Sequence, residues 1–342
     1  MAPLLGYSNR SPRALMSEHT LDDIDGIGPE TKKKLEGLGI QTVEALAFVT
    51  SNELEAVGIE KAGPKFIEKA RDFLKVKSFV PASEILKTHR NIKMLKTGSS
   101  DLDDICKGGL ETQTITEFVG PYGCGKSQIA FTALVLAQLP ENQGGLNGRT
   151  LIVDTEQTFR PKRIWQIAEA RGLDPQKTID GITLASAYNS EHQMLIVNHA
   201  DKVIKENGIR LLVVDSLMAH FRSEYLGREN LPERQGKLNE HLHKILRLAR
   251  AFNLAAIITN QAIATPEGSF YGPQWVPAGG HVVAHASGLR VLLKKEQQNI
   301  RTATIGDSSW IEYGSHSFMI SPRGIENVSE ETKKKVKATA AH

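Results

Sequence analysis

Between His19 and about Lys75 apolar residues recur at helical spacing, Ile24, Leu35, Leu38, Val43, Leu46 and Leu54 among them, and glycine turns break the runs. The pattern predicts a small all-α domain over 19–75. From Val76 to Arg90 the periodicity lapses around Pro81 in a charged stretch, which reads as a linker able to hold a short extended segment. Beyond Asn91 brief β-branched runs alternate with longer helical segments: Thr114–Gly120, Thr150–Glu156, Gly181–Ala187, Ile209–Ser216 and Leu254–Gln261. Apolar on both faces, they predict buried parallel strands and a doubly wound α/β core over 91–328. Gly288–Lys295, Arg301–Asp307 and Ser315–Ser321 lack long helices between them and read as antiparallel hairpins extending the sheet. The ends, 1–18 and the lysine-rich 329–342, read as flexible extensions. A transit peptide (Arg10 and Arg13, no acid before Leu15) or a start at Met16 are the alternatives for the first.

Composition narrows this only a little. A formal net charge of +3 over 342 residues does not prove a nucleic-acid partner, so any such binding must come from local clusters. Two cysteines, Cys106 and Cys124, exclude a disulfide-stapled scaffold and fit a reducing compartment. The longest apolar stretches, such as Ile129–Leu139, fall short of the ~18 residues that span a bilayer, so no membrane partner is expected.

The chemistry concentrates in Gly120-Pro121-Tyr122-Gly123-Cys124-Gly125-Lys126-Ser127, followed by Gln128 and an apolar helix. This is a phosphate loop: glycines let backbone amides converge on phosphates, and the helix N-terminus adds positive potential. Lys126 is placed to reach the β and γ phosphates of ATP, and the Ser127 hydroxyl to ligate Mg²⁺. Leu211-Leu212-Val213-Val214-Asp215 is a buried strand delivering one carboxylate at its end, where Asp215 would hold the Mg²⁺ shell. A third strand ends in Asp154 and Glu156, either able to orient a water at the γ-phosphate; Glu156 is preferred. Cys124 has two readings, a small side chain tolerated by the turn or a thiol made reactive by the helix end and Lys126.

The run Asp154-Thr155-Glu156-Gln157-Thr158-Phe159-Arg160-Pro161-Lys162-Arg163, with Ile258-Thr259-Asn260-Gln261, resembles the archaeal RadA recombinases of the RecA superfamily, and the likeness extends from about Leu21 to Asn327. It implies an ATP-driven filament protein that pairs single-stranded DNA with homologous duplex, in a cytoplasmic, nucleoid-associated setting. It also implies Glu156 as the catalytic glutamate, Arg163 and Gln166 near the base, and Gln261 coupling the γ-phosphate to DNA. His285 and Asp307 would reach the nucleotide from the next protomer. His281 and His285, four apart, admit a metal-binding alternative. The chain departs from the family at Asp307-Ser308-Ser309-Trp310, where a proline-containing cap is usual.

For DNA the N-terminal Ile24-Asp25-Gly26-Ile27-Gly28-Pro29, followed by three lysines, resembles a helix-hairpin-helix whose glycine turn offers amides to a phosphate. The domain holds 8 Lys plus Arg against 11 Asp plus Glu, so a plain packing module is the alternative. Arg222, Arg228 and Arg234 match the family's first DNA-binding loop, and the glycine- and proline-rich 262–280 its second, with Phe270, Tyr271 and Trp275 able to stack on bases. Phe79-Val80-Pro81-Ala82 resembles the linker motif by which Phe79 and Ala82 join one subunit to the next as a helical filament or ring. A recombination mediator that binds DNA and ATP without exchanging strands, or a RecA-fold ring ATPase, are the competing functions.

Overall fold

The structure, a computed structural model, describes residues 19–76, 79–83, 91–264, 275–329 and 332. A one-turn helix at Leu21–Asp23 leads into α1 (Pro29–Gly37), α2 (Val43–Ala47), α3 (Ser51–Glu55) and α4 (Gly63–Phe73). Gly26 makes the first turn with φ +94°, a conformation glycine adopts without a Cβ penalty, and Pro29 opens α1 where no amide donor is needed. Thr42 caps α2, and Thr50 with Glu53 forms a reciprocal capping box on α3. Leu21, Leu35, Val43, Leu46, Leu54 and Ile67 close a hydrophobic core of their own.

A small ribbon, β1 (Met94–Leu95) with β2 (Leu110–Glu111), flanks α5 (Ser100–Ile105). There follow β3 (Ile115–Gly120), α6 (Lys126–Leu136), β4 (Arg149–Asp154), α7 (Pro161–Ala170), α8 (Pro175–Asp180) and β5 (Ile182–Ser186). Next come α9 (Ser190–Asn198), α10 (Ala200–Asn207), β6 (Ile209–Asp215), α11 (Ala219–Glu224), α12 (Leu231–Phe252) and β7 (Ala255–Ala264). The chain continues with β8 (Trp275–Pro277), α13 (His281–Ala286), β9 (Leu289–Lys295), β10 (Ile300–Ser308), β11 (Ser315–Ser321) and β12 (Gly324–Asn327).

The main sheet runs β12-β11-β10-β9-β3-β7-β6-β4-β5, with β8 paired to β7 alone. Strands β9, β3, β7, β6, β4 and β5 are parallel neighbours, and β10 to β12 add antiparallel hairpins, as the pattern of short runs predicts. Alternate residues feed two separate cores. Ile152, Val213 and Ile257 pack with α6 and α7 on one face; Leu151, Val153, Leu212, Val214 and Ile258 pack with α9, α10 and α12 on the other. The structure thus has the expected α/β core. It differs at 262–280: β7 continues to Ala264 and pairs antiparallel with Trp275–Pro277, so the stem of the second loop is a β-ribbon. Residues 265–274, with Phe270 and Tyr271, lie outside the described residues, as do 1–18 and all but one residue of the tail after 329.

The helical region is docked on the α10 and α12 side of the core, a contact the sequence patterns do not foretell. A Cβ at Gly39 would stand 2.1 Å from the Asn198 carbonyl oxygen, so the backbones touch there. The Gln41 amide donates to buried Asp201 at 2.7 Å, and Arg247 donates to both carboxylate oxygens of Glu53 at 2.7 and 2.8 Å. Burial pushes the Glu53 carboxyl up, but the hydrogen bonds from Arg247 and Thr50 outweigh it and hold it down at about 2, from an ordinary 4.5. A carboxyl depressed in the folded state contributes stability that is complete above 4.5 and lost as pH falls toward 2. Glu53→Gln is therefore expected to cost on the order of 1 kcal/mol at pH 7, the pair being partly solvated. Thermal melts of wild type and variant should converge as the pH is lowered from 4.5 toward 2; a gap independent of pH would assign Glu53 a packing role only.

Candidate nucleotide site

Strand β3 ends at Gly120 and α6 begins at Lys126, so the intervening turn opens at the C-terminal edge of the parallel strands. A Cβ on Gly120 would meet the Leu293 carbonyl oxygen at 2.5 Å and Cys124 Sγ at 2.6 Å, which restricts that position to glycine. Gly123 and Gly125, at φ +76° and +101°, turn the chain back over the helix N-terminus. Lys126 Nζ donates to the carbonyl oxygens of Gly120 at 2.7 Å and Pro121 at 3.0 Å, across the mouth of the loop. Tyr122 is wholly exposed beside it. Cys124 points the other way, into the core: burial pushes its thiol up against the pull of Lys126, which favours the packing reading over the reactive one.

Sheet register assembles the polar groups around this turn. Gly120 lies level with Gln261 of β7, and Asp154 of β4 level with Asp215 of β6. Asp215, 4% exposed, accepts from Thr259 Oγ1 through Oδ1, while its Oδ2 has no hydrogen-bond partner among the described residues. Burial raises its carboxyl, the Thr259 hydrogen bond and the nearby Ser127 hydroxyl oppose the rise, and the charges of Glu156 and Asp154 add to it. A buried, partnerless carboxylate oxygen among other acids and next to the Ser127 hydroxyl suits a hydrated divalent cation, which would offset the crowded negative charge.

The two acids after β4 differ. Asp154 spends both oxygens on the amides of Thr158 and Phe159, at 3.1 and 2.9 Å, and is a loop clamp. Glu156 is exposed, and its Oε1 accepts from Ser216 Oγ and from Gln261 Nε2, each at 2.8 Å. Gln261 Oε1 in turn accepts from Arg222 Nη1 at 2.8 Å. Ser216 and Thr259, which orient Glu156 and Asp215, are not among the residues singled out by motif. Their only sequence signal is adjacency, Ser216 next to Asp215 and Thr259 two before Gln261.

The remaining candidates are distributed. Arg163 donates through Nε to Gln128 Oε1 at 2.8 Å, through Nη1 to Gln166 Oε1 at 2.5 Å and to the Pro322 carbonyl at 3.3 Å, and through Nη2 to the Ser321 carbonyl at 2.6 Å, so it ties α7 to the start of α6 and the β11–β12 turn. Asp307 lies opposite Arg290, level with Glu117 and toward the far end of β3; the register does not bring it to its own phosphate loop. His285 is exposed near the end of α13, its ring stacked on His281 at 6.2 Å. Among the described residues no three His, Cys, Asp or Glu group to hold a metal. Arg222 and Arg228 are exposed and Arg234 half-buried. Gly26 and Gly28 make the α1 turn, where Lys69 donates to the Asp25 carbonyl at 2.5 Å. Phe79 is 95% exposed, and Ala82 is exposed too.

The strand order β3-β7-β6-β4, with the loop at the strand ends, is that of a RecA-like core, a class whose members bind ATP with Mg²⁺. Residues 88–328, well over half of the chain, match the Rad51 family model. The chain belongs to the Rad51 family, the RecA-like, DNA-dependent ATPases of DNA recombination and repair.

Proposed function

We propose that this chain is a strand-exchange recombinase of the archaeal RadA type, polymerising on single-stranded DNA with ATP and pairing it with homologous duplex. The observation that carries the reading is the hydrogen-bond chain from Glu156 to the arginine segment: Gln261, level with Gly120 in the sheet, is bonded to both Glu156 and Arg222. ATP with Mg²⁺ supplies the phosphoryl bond whose cleavage turns the filament over. Lys126 and the loop amides bind the phosphates, Ser127 and Asp215 hold the metal, and Glu156 orients the attacking water. Gly120–Gln128, with Arg163 and Gln166 behind them, form one wall of the site. His285 and Asp307 belong to the wall offered by the next protomer, which for Asp307 fits its position away from its own loop. Arg222, Arg228, Arg234 and the Gly26–Gly28 turn supply phosphate contacts without sequence preference.

Assembly follows from an open edge. Among the described residues strand β5 ends the sheet with no strand on its outer side, and Leu184, Tyr188 and Leu195 are exposed around it. A neighbour's linker, adding a strand there and seating Phe79, would extend the sheet from copy to copy. Phe79→Ala is expected to reduce large polymers to monomers and short oligomers in light scattering without altering the melting temperature; polymers of undiminished size would remove Phe79 from the interface. Among the described residues no helix is long and apolar enough to cross a membrane, and a nucleoid-associated, cytoplasmic setting goes with the reading.

The experiment is strand exchange between circular single-stranded DNA and homologous linear duplex with ATP. Joint molecules support the recombinase. A second reading, a mediator, draws on the segment after β10, where Ser308 Oγ accepts from the Trp310 and Ile311 amides and Trp310 is exposed in place of the family's cap. DNA-stimulated hydrolysis without product would favour it.

A further inference from the structure

Arg222 has two calls on one guanidinium. It stands exposed on α11, in the segment proposed to meet DNA, yet its Nη1 donates to the Gln261 carboxamide oxygen at 2.8 Å. The same carboxamide's nitrogen donates to Glu156 Oε1 at 2.8 Å, and Ser216 Oγ donates to that oxygen at 2.8 Å from the other side. Three residues from three elements are thereby joined end to end, from the DNA-facing arginine to the acid at the phosphate loop.

The helix that carries Arg222 is built to hold this position. Its Glu224 carboxylate takes the Ser190 amide at 2.8 Å and the Ser190 hydroxyl, and His220 Nε2 lies 3.0 Å from the Ala187 carbonyl. Phe221 is fully buried and stacked on Tyr225. The amide of Leu217, just before α11, donates to the Thr259 carbonyl at 2.9 Å, so α11 and the strand bearing Gln261 are linked by the backbone as well. Arg222 therefore meets Gln261 from a fixed helix.

We infer that Arg222 is a positioning residue that restrains Glu156 through Gln261, and that capture of its guanidinium by a DNA phosphate releases the acid for hydrolysis. The inference rests on the recombinase reading and adds the hydrogen-bond path by which DNA would be sensed. A cation at one end of an amide strengthens the donation at the other, because consecutive hydrogen bonds polarise each other. While Arg222 holds the carboxamide, both donors on Glu156 Oε1 are fixed and the oxygen is engaged. A phosphate competes well for the guanidinium, because it is an anion and can take two parallel N–H bonds from the arginine fork, where the uncharged carboxamide oxygen takes one. Once Arg222 turns to it, the carboxamide loses its anchor and is free to rotate toward the γ-phosphate, and Glu156 Oε1 is left open to a water.

The test is phosphate release by wild type and Arg222→Ala, each with and without polydeoxythymidylate. The variant is expected to hydrolyse ATP about 3- to 10-fold faster than wild type in the absence of DNA, the worth of one solvent-exposed hydrogen bond, and to gain little when DNA is added. Arg222→Lys keeps a donor and should return the DNA-free rate toward wild type. A DNA-free rate for Arg222→Ala equal to wild type, with unchanged binding of a fluorescent ATP analogue to show the site intact, would overturn the inference and leave Arg222 a DNA contact only. If wild type itself ignores DNA, the recombinase reading falls. A faster DNA-free rate in the variant would still support the restraint, so the two failures are distinguishable.

Discussion

Lys126→Ala is expected to fold normally, to bind ATP more weakly and to hydrolyse it at least ~100-fold more slowly, because the charge that builds on the transferring phosphoryl group loses its nearest cation. The ammonium already lies across the loop mouth on the Gly120 and Pro121 carbonyls, at 2.7 and 3.0 Å, so a modest swing carries it to a bound triphosphate. Removing the lysine leaves the Pro121 carbonyl at an exposed position, and the buried Gly120 stands at the strand end directly before it. The melting temperature should therefore move little. Phosphate release, fluorescent-nucleotide binding and joint-molecule formation would be measured together. Loss of all three with an intact melt assigns the motor to this loop; hydrolysis near the wild-type rate would mean that the nucleotide is processed elsewhere.

The sequence makes the phosphate loop legible because the loop is local: glycines, lysine and serine stand within one turn and need only a strand before and a helix after. The parallel strands are equally legible, since a strand buried on both faces must be apolar throughout. What is not legible depends on register between distant strands. Nothing in the runs reveals that Gly120 lies level with Gln261, or that Thr259 reaches Asp215, because pairing between β3, β6 and β7 is settled only when the sheet forms. The apolar pattern also conceals Glu117, a fully buried acid in β3. It is held by Arg290 of β9 and Asn260 of β7, each at 2.7 Å, and its partners lie more than 140 residues away in the chain. Docking of the helical region is hidden for the same reason: Glu53 and Arg247 are ordinary surface residues until the backbones meet at Gly39. The preference for Glu156 over Asp154 as the acid facing the nucleotide rests, at the level of sequence, on the family resemblance and not on any difference visible between the two acids. Its physical basis appears only where the structure spends both Asp154 oxygens on backbone amides.

That difference sets up the second large effect. Glu156→Gln keeps the size and planarity of the side chain and still accepts from Ser216 through its amide oxygen, but it cannot take a proton from water. The turnover number is expected to fall about 100-fold or more, in line with the loss of a positioned general base, while nucleotide affinity stays within a few-fold of wild type. Filament formation on single-stranded DNA should persist and outlast that of wild type, because ATP that is bound but not cleaved keeps the subunits joined. Lys126→Ala makes the opposite pairing, losing affinity and turnover together, so measuring both variants by stopped-flow binding and by steady-state hydrolysis separates the group that holds the phosphates from the group that acts on water. Asp154→Asn supplies the contrast. With one oxygen replaced by a donor that faces the Thr158 or Phe159 amide, the loop after β4 should loosen, and the melting temperature should fall along with activity. Were Glu156→Gln to hydrolyse ATP at the wild-type rate while Asp154→Asn lost activity with an unchanged melt, the two acids would exchange roles, and the Gln261 link to Arg222 would report on a bystander.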